Sequence, residues 1–147
     1  MGHKAISLSF TPSEAETRGA MVMLGQLLRA QNLGVSDVER AELVLTEVLN
    51  NVVEHAMTKT GSGQISTKID IGTEALWCCV TDAGKPMPRG GIPSGRAVGP
   101  EKAINDLPEG GFGWLLLRAL TTDLRYHRST SQNQLAFSIP LENRLAG

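Results

Sequence analysis

Glu47, Asn51 and His55 recur at every fourth position of the segment LTEVLNNVVEHA, residues 45–56. In an α-helix this spacing places the three polar side chains on one side, next to an apolar stripe. A solvated helix face usually carries Lys, Arg and Glu in pairs of opposite charge. A carboxylate, an amide and an imidazole are instead groups that bind metals and transfer protons. Taken alone, such a stripe still belongs more often to a solvated face than to a site.

A second polar feature is TDAGKP, residues 81–86, in which Asp82 ends an apolar run and Gly84 and Pro86 follow directly. A carboxylate at the end of a buried strand can accept a hydrogen bond from an exocyclic amine such as that of adenine. If the motif stood alone, an Asp-Ala-Gly turn would be the simpler interpretation.

The third feature is EGGFGWLLL, residues 109–117, a glycine-rich turn that leads into a helical pattern. Backbone N–H groups at a helix N-terminus suit a phosphate. The turn is not a Walker A loop, because no Gly-Lys-Ser/Thr follows it. An asparagine carbonyl on the neighbouring stripe can ligate Mg²⁺, and a glutamate one turn earlier can take a proton from an attacking hydroxyl.

Composition and charge exclude several classes of protein. The chain has 147 residues and a net charge of −1 without a block of like charge, so nucleic acid is not an expected partner. No apolar run approaches the length of a membrane span, and the N-terminus lacks the apolar core of a signal peptide. We therefore expect one domain over residues 1–147 in the cytoplasm. The adjacent Cys78 and Cys79 are expected to be two buried, reduced thiols.

Two helices and a strand are predicted in the first part of the chain: a strand at 4–10 and helices at about 12–31 and 36–57. Gly34 is a suitable residue to end the first helix. Ser36 is the predicted N-cap of the second, with Glu39 completing a capping box.

The rest of the chain alternates strand patterns with one irregular segment and one helix. The predicted elements are strands at 64–72 and 75–82, a Pro/Gly-rich lid or binding loop within 83–110, helical patterning over 112–124, and strands at 125–130 and 134–141. The nearly apolar run at 75–82 should be a central strand. This order predicts an α+β fold: a two-layer sandwich with a mixed, antiparallel-rich sheet and helices on one face.

In order and approximate spacing the three motifs resemble those of the Bergerat-fold ATPases, the superfamily of DNA gyrase, sensor histidine kinases and mismatch-repair ATPases. The matching segments read EVLNNVVEH (47–55), DAGKP (82–86) and GFG (111–113). The resemblance covers essentially the whole chain. Within the superfamily it is closest to the small stand-alone anti-sigma factor serine/threonine kinases.

The resemblance implies a role for each matching residue. Glu47 would be the general base, Asn51 the Mg²⁺ ligand, and Asp82 the partner of the adenine amine. The residues that it assigns to nucleotide binding are Asn51, His55, Asp82, Gly84, Pro86, Gly111, Phe112, Gly113 and Trp114. Trp114 departs from the usual pattern, since a leucine is more common at that position.

The function implied is that of an ATP- and Mg²⁺-dependent serine/threonine protein kinase that acts as an anti-sigma factor. Its expected partners are a sigma factor and an anti-sigma factor antagonist, with neither nucleic acid nor membrane, and related proteins commonly form homodimers. Arg18 is a candidate partner contact. Two alternatives stay open: a nucleotide-dependent binding module without phosphotransfer, and a histidine-kinase-like domain acting on a separate phosphoacceptor protein.

Overall fold

In the part of the chain that the structure describes, alternating or continuous apolar residues form five strands, and residues of helical period form three helices. The computed structural model describes residues 4–57, 63–86 and 111–142, with the backbone alone for 55–57 and 111–112. The elements in chain order are β1 (Lys4–Phe10), α1 (Glu14–Arg29), α2 (Val35–Met57), β2 (Ile65–Ile71), β3 (Ala75–Asp82), α3 (Gly111–Leu120), β4 (Thr122–Arg128) and β5 (Asn133–Pro140). Most of the predicted lid, residues 87–110, lies outside the described residues.

The five strands form one sheet in the order β1-β2-β3-β5-β4. Every pairing between these strands is antiparallel. The apolar strand β3 lies at the centre, as its composition predicts, and β5 inserts between β3 and β4. The predicted α+β sandwich with an antiparallel-rich sheet is confirmed.

One face of the sheet is buried beneath the helices, and the other is open. The open face carries polar residues together with Trp77, which is 50% exposed. Helix α2 lies between α1 and α3 and also contacts β3. The largest side chains buried between the two layers are Leu24, Leu28, Val44, Leu45, Val48, Leu49, Ile65, Ile69, Leu76, Leu117, Phe137 and Ile139. This packing presents one side of α2 to the end of β3.

The helix starts differ from the predicted ones by one to two residues. Helix α1 is capped by Ser13, whose hydroxyl accepts a hydrogen bond from the Glu16 backbone N–H. It ends at Arg29, with Ala30 as its C-cap, rather than near residue 31, and Asn32 takes the left-handed conformation that a glycine was expected to supply. Gly34 instead directly precedes α2 as its N-cap, and its carbonyl accepts from the Val38 N–H at 3.0 Å. The predicted Ser36 cap is therefore wrong.

Two further predictions change in detail. Helix α3 ends at Leu120, so the segment 121–124 leaves the helix and most of it joins β4. Thr121 closes the helix by donating its hydroxyl hydrogen to the Leu117 carbonyl. The two cysteines are both free, but only Cys78 is buried, whereas Cys79 lies half-buried on the open face. Among the described residues, no helix has the length and apolar character needed to span a membrane.

Candidate functional site

The three polar motifs meet at the end of the sheet where β3 stops and β5 begins. A cavity there is lined by Val48, Asn51, Val52, Asp82, Lys85, Trp114, Tyr126, Asn133 and Leu135. Helix α2 supplies the amide, the end of β3 supplies the carboxylate, and α3 supplies an indole. The walls between these groups are apolar or aromatic, which is the usual lining of a site for a flat organic ligand.

Asp82 is the buried acidic group of this cavity, with 7% of its surface exposed. Its Oδ1 atom accepts from the Gly84 backbone N–H at 2.8 Å and from the Asn133 side-chain amide at 3.0 Å. No residue in the described ranges donates a hydrogen bond to Oδ2. A carboxylate held in this way offers one acceptor to a ligand that carries an N–H donor.

Asn133, Tyr126 and Arg128 form a polar cluster around Asp82 that sequence reasoning missed. The Asn133 amide also donates to the carbonyls of Gly84 at 3.3 Å and Lys85 at 2.7 Å. Its Oδ1 accepts from the Tyr126 hydroxyl and from the Arg128 guanidinium. Asparagine is depleted in strands, so an asparagine at the start of a buried strand was the available signal.

Glu47 and Asn51 lie where α2 passes closest to the start of α3. A Cβ atom added at Gly113 would come within 2.7 Å of Glu47 Oε2 and 3.4 Å of Asn51 Nδ2. A side chain at this position would therefore displace the Glu47 carboxylate, so the glycine keeps that carboxylate in its observed place, a role distinct from the predicted contact with phosphate. Glu47 itself does not line the cavity, although it is adjacent to Asn51, which does.

The side-chain amide of Asn51 is the clearest unsatisfied group in the site. Its Nδ2 is buried and has no hydrogen-bond partner within the described part of the chain. Leaving such a group unpaired costs about 1–3 kcal/mol. A buried polar atom without a partner, facing a cavity beside a carboxylate, is an arrangement that a polar ligand would complete.

Several predicted site residues cannot be placed in the cavity. The side chains of His55 and Phe112 lie outside the described residues, and only the backbone of Gly111 is described, at the start of α3. Pro86 is exposed at the end of a described segment and does not line the cavity. Within residues 4–57, 63–86 and 111–142, no three His, Cys, Asp or Glu side chains cluster closely enough to hold a metal ion.

A larger groove lies between α1 and α2, away from Asp82. Its volume is about 540 Å³, against about 30 Å³ for the cavity, and its lining includes Arg18, Val22, Thr46 and Asn50. The cavity is the better candidate site despite its size, because a buried carboxylate and an unpaired amide converge there. The groove is lined by one buried polar residue among those described, Thr17, whose hydroxyl already donates to the Ser13 carbonyl, so the groove is better suited to contact with another macromolecule.

Comparison with known proteins identifies the family. A sequence profile described as the histidine kinase-like ATPase domain matches residues 10–139. This chain belongs to the histidine kinase-like ATPase domain family. The resemblance predicted from the three motifs is thereby confirmed.

Two curated relatives of this histidine kinase-like ATPase domain are serine-protein kinases. The chain is 26% identical over 116 residues to RsbW of Oceanobacillus iheyensis, covering 78% of this chain and 73% of the relative. It is 27% identical over 99 residues to RsbW of Bacillus licheniformis, covering 65% of this chain and 62% of the relative.

A solved structure shares the fold of this histidine kinase-like ATPase domain. The crystal structure of the RsbU and RsbW domains of Rv1364c from Mycobacterium tuberculosis aligns with a TM-score of 0.64 at 15% identity. The alignment covers 98% of this chain and 35% of that one. The similarity extends over nearly all of the present chain and shows the fold.

Proposed function

We propose that this protein binds ATP with Mg²⁺ and transfers the γ-phosphoryl group to a serine or threonine hydroxyl of an anti-sigma factor antagonist. In the same proposal it acts as an anti-sigma factor by binding a sigma factor. The observation that carries the proposal is the convergence of the three motifs on one cavity, where Asp82 presents an unengaged carboxylate oxygen.

In this proposal the adenine base lies against the apolar walls of the cavity, which must widen to admit it. Val48, Val52 and Leu135 offer flat aliphatic surface, and Trp114 and Tyr126 add aromatic surface. The exocyclic amine would donate to Oδ2 of Asp82, since Oδ1 already accepts two hydrogen bonds. A base with a carbonyl oxygen at that position would instead place two acceptors against each other.

The residues present fit a Mg²⁺ ion held mainly by substrate phosphates. Mg²⁺ commonly binds through one or two protein oxygens together with phosphate oxygens and water. Asn51 supplies a side-chain carbonyl whose attached amide has no partner among the described residues. When bound, the ion would neutralise charge on the phosphates. Lys85, at the exposed edge of the cavity, is placed to add a positive charge nearby.

Glu47 is the proposed general base. The hydroxyl oxygen of the acceptor would form a bond to the γ-phosphorus as the bond between that phosphorus and the β–γ bridging oxygen breaks. ADP leaves with the bridging oxygen, and the hydroxyl proton passes to the Glu47 carboxylate. No hydrogen bond or ion pair within the described part of the chain engages that carboxylate, which leaves it able to accept a proton.

The proposed partners rest on the names of the relatives and on the groove between α1 and α2. Both curated relatives are serine-protein kinases, which favours a serine hydroxyl as the acceptor. Arg18 and Glu14 line the groove together with the exposed Val22, so the groove combines charges of both signs with apolar surface. We place partner binding there, and we place the protein in the cytoplasm as a single domain over 1–147 that is able to form a homodimer.

A pair of substitutions tests the proposal. The protein is incubated with γ-labelled ATP and candidate antagonist proteins, and ATP affinity is measured separately by calorimetry. Glu47→Gln should reduce transfer about 100- to 10,000-fold while ATP affinity persists. Asn51→Ala should weaken Mg²⁺-dependent ATP binding, and transfer should fall with it. Glu39→Gln, an exposed change of the same kind on the same helix, is the matched control.

One observation favours the alternative of a binding module without phosphotransfer: Glu47 packs against Gly113 and does not line the cavity. Transfer at the wild-type rate by Glu47→Gln would reject the catalytic role and move this alternative ahead. The histidine-kinase-like alternative is separated by product chemistry, because phosphoserine survives acid and phosphohistidine does not.

A further inference from the structure

Asn133 has all its side-chain hydrogen-bonding groups engaged around Asp82. It is the first residue of β5, is 6% exposed, and lies in register opposite both Asp82 on β3 and Arg128 on β4. Its side chain therefore sits between the two strands that flank β5. From there it reaches the residues that follow β3 as well as Asp82 itself.

The two halves of the Asn133 amide have different partners. The –NH₂ group carries two hydrogens, and its three acceptors are Asp82 Oδ1 and the carbonyls of Gly84 and Lys85. The carbonyl oxygen has two lone pairs, and its donors are Tyr126 and Arg128. Arg128 also donates to the Gly84 carbonyl at 2.7 Å, which ties the turn after β3 to β4.

We propose that Asn133 is a positioning residue for base recognition, which holds Asp82 so that Oδ2 faces the cavity and makes the site discriminate an amine from a carbonyl on a purine. This inference rests on the proposed nucleotide-binding function. Asn133 acts through Asp82, because its own donors and acceptor are already engaged. Rotation of the carboxylate would break the bonds to Gly84 and Asn133 together, so the two donors fix its orientation.

The requirement for asparagine follows from the mixture of donors and acceptor. An aspartate in its place would have no N–H to give, and it would put a second carboxylate against Asp82 and two backbone carbonyls. A serine or alanine would be too short to join Asp82 to the turn. Only an amide of this length donates toward β3 while it accepts from β4.

The test compares ATP with inosine triphosphate, whose base carries a carbonyl oxygen where adenine carries the amine. Both nucleotides have the same phosphates, so the ratio of their dissociation constants isolates recognition of the base. Trp114 lines the cavity and serves as a fluorescent reporter in a Trp77→Phe background, since the chain has two tryptophans. The Trp77→Phe protein without further changes should bind ATP with a dissociation constant about 10- to 100-fold lower than that for inosine triphosphate.

Asn133→Asp should lower this ratio to below about threefold, because the carboxylate loses its fixed orientation. Gln134→Glu is the matched control, since it makes the same amide-to-carboxylate change at the next residue, on the open face. It should leave the ratio unchanged. If Asn133→Asp weakens both nucleotides equally and keeps the wild-type ratio, Asn133 has only a structural role and the inference is overturned.

Tyr126→Phe keeps the inference testable if Asn133→Asp does not fold. It removes one donor to the Asn133 carbonyl and leaves the aromatic wall, so the ratio should fall by a smaller factor; an unchanged ratio would count against the inference. A protein that binds ATP without preferring it over inosine triphosphate would also overturn it. Binding of neither nucleotide by the wild-type protein would instead reject the proposed function itself.

Discussion

Two buried aspartates, Asp37 and Asp82, stand in opposite kinds of environment. Asp37 lies in the first turn of α2 and is fully buried, and Asp82 lies at the end of β3 with 7% of its surface exposed. Asp37 accepts from the Arg40 guanidinium at 2.9 Å and from the Glu142 backbone N–H at 2.8 Å. Within the described ranges, the donors to Asp82 are both neutral, and its carboxylate borders a cavity.

Arg40 explains why the first of these carboxylates is structural. Its guanidinium also contacts the Pro140 carbonyl at 3.2 Å and the Glu142 carboxylate at 2.6 Å, so it joins the start of α2 to the end of β5. A buried charge with its counter-ion inside the fold is already compensated. Asp82 has no such cation bonded to it among the described residues; two neutral N–H donors hold it beside a cavity, where a ligand can supply a further donor. This difference in charge pairing indicates that Asp37 stabilises the fold, whereas Asp82 is available to bind a ligand.

Asp37→Asn should have the largest effect on stability. The substitution removes the negative charge beside Arg40 and weakens the bond to Glu142, so the free energy of unfolding should fall by about 2–3 kcal/mol. Urea denaturation measures this change. Because Asp37 does not line the cavity, ATP affinity at a temperature where the variant is folded should equal that of the wild type. A loss of ATP affinity without a loss of stability would contradict the distinction between the two aspartates.

Asp82→Asn should show the reverse pattern. An amide keeps an acceptor for Gly84 and Asn133 but presents N–H groups where the carboxylate presented Oδ2, so ATP affinity should fall about 10- to 100-fold. The free energy of unfolding should change by less than about 1 kcal/mol, since the lost charge had no ion-pair partner. Calorimetry with ATP and Mg²⁺ gives the first value. Asp70→Asn, on the open face of β2, is the control and should alter neither quantity.

Cys78 extends the comparison to a buried acid that stays neutral. Burial raises the pKa of its thiol above the ordinary value, and the nearby Cys79 and Asp70 add to the shift. The unfolded thiol loses its proton from about pH 8.5, whereas the folded one retains it, so stability is complete below that pH and falls as pH rises. Between pH 8 and pH 10 the wild type should lose about 2 kcal/mol more than Cys78→Val. Equal losses in urea titrations at both pH values would show that the thiol ionises in the folded state.

The sequence predicted those features that depend on local pattern. Alternation located β1 and β2, a nearly continuous apolar run located β3, and helical period located α2 with its Glu47–Asn51 stripe. The helix starts were less secure, because Ser36 satisfied the rule for a cap although α2 already begins at Val35, directly after Gly34. Thr121 and Asp123 were assigned to a helix, although the β-branched residues there begin the change to β4.

The missed features depend on contacts between distant parts of the chain. Asn133 meets Asp82 across 51 positions, and Glu142 meets Asp37 across 105. For neither pair does the sequence around one residue indicate which distant residue it contacts. The predicted contact of Gly113 with phosphate stays a prediction, and the structure adds neighbours that no local pattern indicates, since Glu47 and Asn51 come from α2. The motifs therefore indicated where the chemistry lies, and the tertiary structure showed which groups hold it in place.

The position of β5 between β3 and β4 has a consequence for the order in which the molecule assembles during translation. When the ribosome has released the chain only as far as β4, the β1–β2–β3 meander can pair, but the free edge of β3 and the whole of β4 still lack their neighbour. The β4–β5 pairing is a local hairpin, whereas closing the long-range pairing of β3 with β5 is the slow, entropically costly part of folding. The hydrogen bond from Asn133 to Asp82 forms only after β5 has paired with β3, so we expect the proposed nucleotide site to be complete only in the final step of folding. ATP would then bind and stabilise chains whose sheet is complete.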